Sequence, residues 1–133
     1  MHVRLNSVAP TFLVADVGAT IRWYEQNLGF TSYPFPKQEP YVFASVARDQ
    51  AEIMLMLVAG YQKPDLRPLR PAGLWDAYIR MDGVTTFYEQ VRTKVPILMP
   101  PTKQRYGDTE FEIMDPNGYI LVFSELIGEG KTA

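Results

Sequence analysis

Apolar and polar positions alternate strictly in several short stretches, and between them the period lengthens to that of a helix. Strand-like runs are FLVAD (12–16), TSYPF (31–35), YVFASVA (41–47) and AEIMLMLV (51–58), and then VPILM (95–99), TEFEIMD (109–115) and YILVFSEL (119–126). Val17, Ile21, Tyr24 and Leu28 recur on one helical face, and Val84, Phe87, Tyr88 and Val91 form the i, i+3, i+4, i+7 stripe of a half-buried helix. Asp16 and Asp82 stand where each helix begins and are expected to cap it.

These elements repeat. FLVADVGATIRWYEQ (12–26) and YIRMDGVTTFYEQ (78–90) share a strand, an acidic residue, a short helix and an aromatic-Tyr-Glu-Gln ending. Each half reads β-α-β-β-β, with module one at about 8–58 and module two at about 74–126 of a single domain, 1–133. The Pro- and Gly-rich stretch 59–73 is the linker, and its Lys63, Arg67 and Arg70 are expected to be a solvated charge run. The fold class expected is therefore α+β, two tandem modules.

Alternation also assigns faces. Phe12, Val14, Ile53, Leu55, Leu57, Ala77, Ile79, Met81, Phe111, Ile113, Leu121 and Phe123 share a uniformly apolar face that should pack under the helices. The opposite face is mixed, with Met54, Met56, Asp76, Tyr78, Arg80, Glu110, Glu112, Val122 and Ser124. Such a face suits a cavity wall. A wet sheet surface or a subunit interface is the plainer alternative.

Composition narrows the chemistry. At 47% hydrophobic the chain can build a core, and with a net charge of −2 it lacks the basic excess of a nucleic-acid binder. No apolar run is long enough to span a membrane or resembles a signal peptide, so a cytoplasmic protein without a membrane partner is expected. Cysteine is absent and His2 is the one histidine, which removes thiolate ligands and leaves little room for imidazole chemistry. No phosphate-cradling loop or nucleophile elbow is present.

Four segments in order, LVADVGATIRWYEQNLGF, EIMLML, YIRMDGVTTFYEQV and YGDTEFEIMDPNGYILVFSE, make residues 8–126 resemble the vicinal-oxygen-chelate superfamily. That group includes glyoxalase I, extradiol dioxygenases and the fosfomycin- and bleomycin-resistance proteins. The resemblance implies two modules whose mixed sheets curl around a shared cleft. It also implies four metal-ligand positions, which fall here on Ala9, Met54, Asp76 and Val122. Alanine, valine and methionine do not ligate a hard divalent ion, so no metal and no cofactor are expected. Closest in character is the bleomycin-resistance branch, which implies small-molecule binding and a homodimer.

The ligand-binding residues expected are Met54, Trp75, Asp76, Tyr78, Tyr106, Glu112 and Val122. Trp75, Tyr78 and Tyr106 would offer a stacking wall, and Asp76 and Glu112 would orient a cationic or hydrogen-bonding group. Asp76 is expected inside the cleft near Tyr78 and Val122. Glu52 and Glu110 are read with Asp76 and Glu112 as rim carboxylates in water, paired with Arg80 or Arg105, or else as an oxygen-ligand site for Mg²⁺ or Mn²⁺. The function expected is reversible binding of an aromatic or cationic molecule rather than catalysis. A lyase, isomerase or dioxygenase with an unconventional carboxylate metal site stands as the alternative, and a non-catalytic interaction module as a third.

Overall fold

The structure is a computed structural model and describes residues 1–127, so residues 128–133 of the expected domain lie outside the described residues. Its elements run β1 (Thr11–Val14), α1 (Val17–Leu28), β2 (Thr31–Phe35), β3 (Phe43–Arg48) and β4 (Ala51–Leu57). A 3₁₀ turn at Arg67–Leu69 precedes β5 (Ala77–Arg80), α2 (Val84–Val91), β6 (Ile97–Lys103), β7 (Asp108–Met114) and β8 (Ile120–Leu126). The strands form two four-stranded mixed sheets, ordered β1-β4-β3-β2 and β5-β8-β7-β6. In each, the first strand pairs parallel to the last and the others pair antiparallel. The fold is α+β with two β-α-β-β-β units, and the sheets do not close.

One face of each sheet lies under its helix. Phe12, Val14, Ala44, Val46, Ile53 and Leu55 pack beneath Val17, Ile21, Tyr24 and Leu28, all buried. In the second unit Phe87 packs edge-on to Phe123, and Phe111 stacks with Phe123 at 5.2 Å between ring centres. Each such side chain contributes about 1.5–3 kcal/mol by leaving water.

The helices are capped differently. Asp16 Oδ1 accepts from Ala19 N at 2.9 Å, and Gly29 ends α1 in the left-handed region at φ 71°. Asp82 does not cap α2, contrary to expectation. Gly83 occupies the cap position, and Glu125 Oε1 on β8 accepts from Gly83 N and Val84 N at 3.0 Å each. A carboxylate from the neighbouring strand reaches both free amides at once, so the local one has no role there.

The Asp115-Pro-Asn-Gly turn of the second unit grips the first. Tyr24 OH donates to Asp115 Oδ2 at 2.8 Å, Asn117 Nδ2 donates to Thr20 Oγ1 at 2.9 Å, and Tyr119 OH donates to the Leu13 carbonyl at 2.7 Å. The Tyr119 ring stacks on Phe12 at 4.0 Å. Asp115 Oδ1 accepts from Asn117 N and Tyr119 N, so both carboxylate oxygens are occupied in a buried setting.

Candidate functional site

Opposite its helix, the second sheet presents a wall of crosswise rows. Register places Tyr78, Val122, Glu112 and Met99 in one row, and Arg80, Ser124, Glu110 and Thr102 in the next. Trp75 leans on Tyr78 with ring centres 5.4 Å apart and planes tilted by 50°. Tyr106, on the turn before β7, reaches back so that its hydroxyl donates to Glu110 Oε2 at 2.7 Å.

Two carboxylates on this wall are buried and fully engaged. Glu110 Oε2 accepts from both Tyr78 OH and Tyr106 OH, and lies 3.3 Å from Ser124 Oγ. Asp108 Oδ2 accepts from Ser124 Oγ at 2.8 Å and from Arg80 Nη1 at 3.3 Å. Burial and the hydrogen bond to Glu110 push the Tyr78 phenol above the ordinary tyrosine range, and Tyr106 rises for the same reasons. The expectation that Glu110 is a rim residue in water is therefore corrected: it is 2% exposed. The two tyrosine hydroxyls that donate to it make that burial tolerable.

Glu112 differs. It is half-buried, and among the described residues its carboxylate has no hydrogen-bond or ion-pair partner. Burial, and then the neighbouring Glu110, hold its pKa above the ordinary glutamate value.

Asp76 sits at the mouth of β5, where its Oδ2 accepts from Ile120 N at 2.8 Å and stands 3.6 Å from Lys63 Nζ. Lys63 is no solvated charge, as had been expected. Its side chain is 8% exposed, and its ammonium lies 5.6 Å from the Tyr119 ring centre. The linker folds onto the junction because an ammonium there meets a carboxylate and an aromatic face together.

Trp75, Asp76, Tyr78, Tyr106, Glu112 and Val122 thus belong to the second sheet or its flanks, but Val122 is fully buried beneath its neighbours. Met54 belongs to the other sheet, between Thr11 and Ser45. A cavity of about 1110 Å³ takes in Asp76 and Tyr78 alone of the seven. It is a groove between β5 with α2 on one side and residues 8–10 with the β3–β4 turn on the other. On the wall Tyr78, Glu112 and Met99 are half-buried, and Arg80 and Thr102 are exposed. Asp108 and Glu125 escaped notice in the sequence, and Ser124 was placed on the mixed face without a role; strand alternation marks faces and says nothing of partners.

Residues 4–123 match the family described as Glyoxalase/Bleomycin resistance protein/Dioxygenase superfamily. The chain belongs to that superfamily. Solved structures with the same fold include a glyoxalase-related enzyme from Clostridium phytofermentans, 17% identical, with a TM-score of 0.73 over 94% of this chain and 98% of that one. TioX from Micromonospora sp. ML1 is 13% identical, with a TM-score of 0.69 over 96% and 100% of the two chains. A bleomycin-binding protein complexed with bleomycin is 20% identical, with a TM-score of 0.67 over 91% and 98%. Identities this low establish the fold alone. A search of curated proteins returns no match.

The superfamily's metal enzymes raise the question of a metal here. At the four positions that the resemblance assigns to metal ligands, Ala9, Met54 and Val122 have no hard donor, and the Asp76 carboxylate accepts from Ile120 N and stands beside Lys63. That donor set does not fit a divalent cation. Among the described residues no three His, Cys, Asp or Glu side chains converge as a metal site would require.

Proposed function

We propose that this protein binds a small molecule, without a metal, on the open wall of its second sheet, and that a second copy of the chain covers the bound molecule. The ligand has a flat apolar part, which lies against Trp75, Tyr78 and Met99, and a cationic or hydrogen-bond-donating group. Glu112 carries this reading. Asp108 is already paired with Arg80 and Ser124, Glu110 is hydrogen-bonded by two tyrosines, and Asp76 stands beside Lys63. Glu112 alone of the four is half-sheltered and unspent, and a carboxylate in that state attracts a donor from outside. Family membership and the bleomycin-bound relative support binding as the kind of activity.

The test is a thermal-shift screen with bleomycin and a panel of planar aromatic cations, followed by calorimetry on the best compound. Glu112→Gln should weaken its binding by about 1–3 kcal/mol, the usual worth of a charge-assisted hydrogen bond. Equal affinity in parent and variant would remove Glu112 from the site. A screen in which no compound shifts the melt would leave the binding reading without support.

A further inference from the structure

Cations lie over aromatic rings at three places among the described residues, and they are not held alike. Lys63, over Tyr119, is buried. Arg48, 5.4 Å from the Phe87 ring centre, also donates to the Leu28 carbonyl at 2.9 Å. Arg80 has its guanidinium carbon 5.3 Å from the Tyr78 ring centre, yet its side chain is 75% exposed. Its Nη1 donates to Asp108 Oδ2 at 3.3 Å. A guanidinium can grip a carboxylate with two parallel bonds of about 2.7–2.9 Å. Arg80 makes one such bond, and it is long. An ion pair this exposed contributes little.

The place where Arg80 rests is the reverse, sheltered and short of positive charge. Asp108 and Glu110 are both buried. Ser124 Oγ donates to Asp108 Oδ2 at 2.8 Å and stands 3.3 Å from Glu110 Oε2. The Tyr78 hydroxyl donates to Glu110 and stands 3.2 Å from Asp108 Oδ2. The two carboxylates therefore share two hydroxyls, and among the described residues Arg80 is the one cation in an ion pair with either. Two sheltered acids beside one solvated guanidinium favour a cation seated more deeply. The Tyr78 ring beside them supplies an aromatic face for it.

Arg80 thus shows what this place accepts: a flat, delocalised cation against a ring and a carboxylate. We infer that its guanidinium is a displaceable plug, and that the wall selects ligands with an amidinium or guanidinium group, which takes the place of Arg80 against Tyr78 and Asp108. The inference rests on the binding reading and narrows its ligand. Register adds a second requirement. Tyr78 and Glu112 stand on either side of Val122, two strand spacings or about 10 Å apart. A flat ligand with its cation at Tyr78 has its far end at Glu112, where the free carboxylate accepts from a second donor. Arg80 is then the residue that sets specificity. A planar cation exchanges with it at little cost, whereas a neutral flat molecule that displaces it leaves both acids without a cation.

Diamidinophenylindole, a flat molecule with an amidinium at each end, is the probe. Its fluorescence reports binding to the parent chain, to Arg80→Met and to Glu112→Gln, with circular dichroism confirming that each is folded. Arg80→Met keeps an unbranched stem and removes the plug, so it should bind the probe about 10-fold tighter than the parent. A gain of affinity is not what a damaged fold would give. Glu112→Gln should bind it about 10-fold more weakly. Equal affinity in the parent and Arg80→Met, with Glu112→Gln still weakened, overturns the plug and leaves the wall as the site. Weaker binding by Arg80→Met makes Arg80 a ligand contact and also overturns it. Affinity unchanged by either substitution removes the plug and the wall together. No binding of the probe by the parent or by Arg80→Met at millimolar concentration overturns the planar-cation class, while the thermal-shift screen still decides whether the wall binds other compounds.

Discussion

At the residue scale the wall is a study in how one strand face treats three acids. Asp108, Glu110 and Glu112 are two residues apart along β7, so they share a face, yet only the first two have donors waiting. Alternation made the shared face legible. Which acid is buried was not legible, because Tyr78 and Ser124 lie 32 and 14 residues from Glu110 in the chain. The raised pKa of Glu112 has a consequence for stability. The folded state holds that proton more tightly than the unfolded state does. The stabilisation is full below the ordinary glutamate pKa and is lost as pH rises through the raised folded value. Glu112→Gln should therefore be at least as stable as the parent at about pH 7, and should lose ground to it towards about pH 4. Urea unfolding at both pH values checks this, and the opposite trend would mean that the carboxylate has a cationic partner. Tyr24→Phe should behave quite differently. It strips the donor from buried Asp115 Oδ2 and should cost about 1–3 kcal/mol in the same assay.

At the scale of elements, helix stripes and strand alternation were enough to place both helices and the eight strands in order. What they missed was closure by distant groups. The Asp16 cap is local and readable, whereas Glu125 caps α2 from 41 residues away. β6 also runs to Lys103, through two prolines where the sequence suggested an end at Met99; an edge strand tolerates them because its outer amides have no partner to lose. Gly29 is fixed by geometry rather than size. At φ 71° a side chain is strained, and a Cβ there would stand 3.1 Å from Arg48 Nη1. Gly29→Ala should lower stability by about 1–2 kcal/mol, read as a reduced denaturant midpoint with an unchanged slope.

At the scale of the whole molecule the repeat was the clearest signal, and it fixed an α+β fold of two similar units. The seam between the units was invisible in the sequence. One side of it is tight, where the Asp115 turn meets α1, and the other is open, where the β3–β4 turn stands away from α2. Two surfaces thus compete for a ligand, the wall of the second sheet and the groove at the seam. The most direct measurement is an amide-resolved NMR titration with the compound that gives the largest melting shift. Binding on the wall predicts shifts centred on Tyr78, Glu112 and Val122, with little change at Gln50, Gly83 or Gln90. Shifts confined to Arg48–Glu52 and Gly83–Gln90 would place the ligand in the groove and contradict the assignment of the wall.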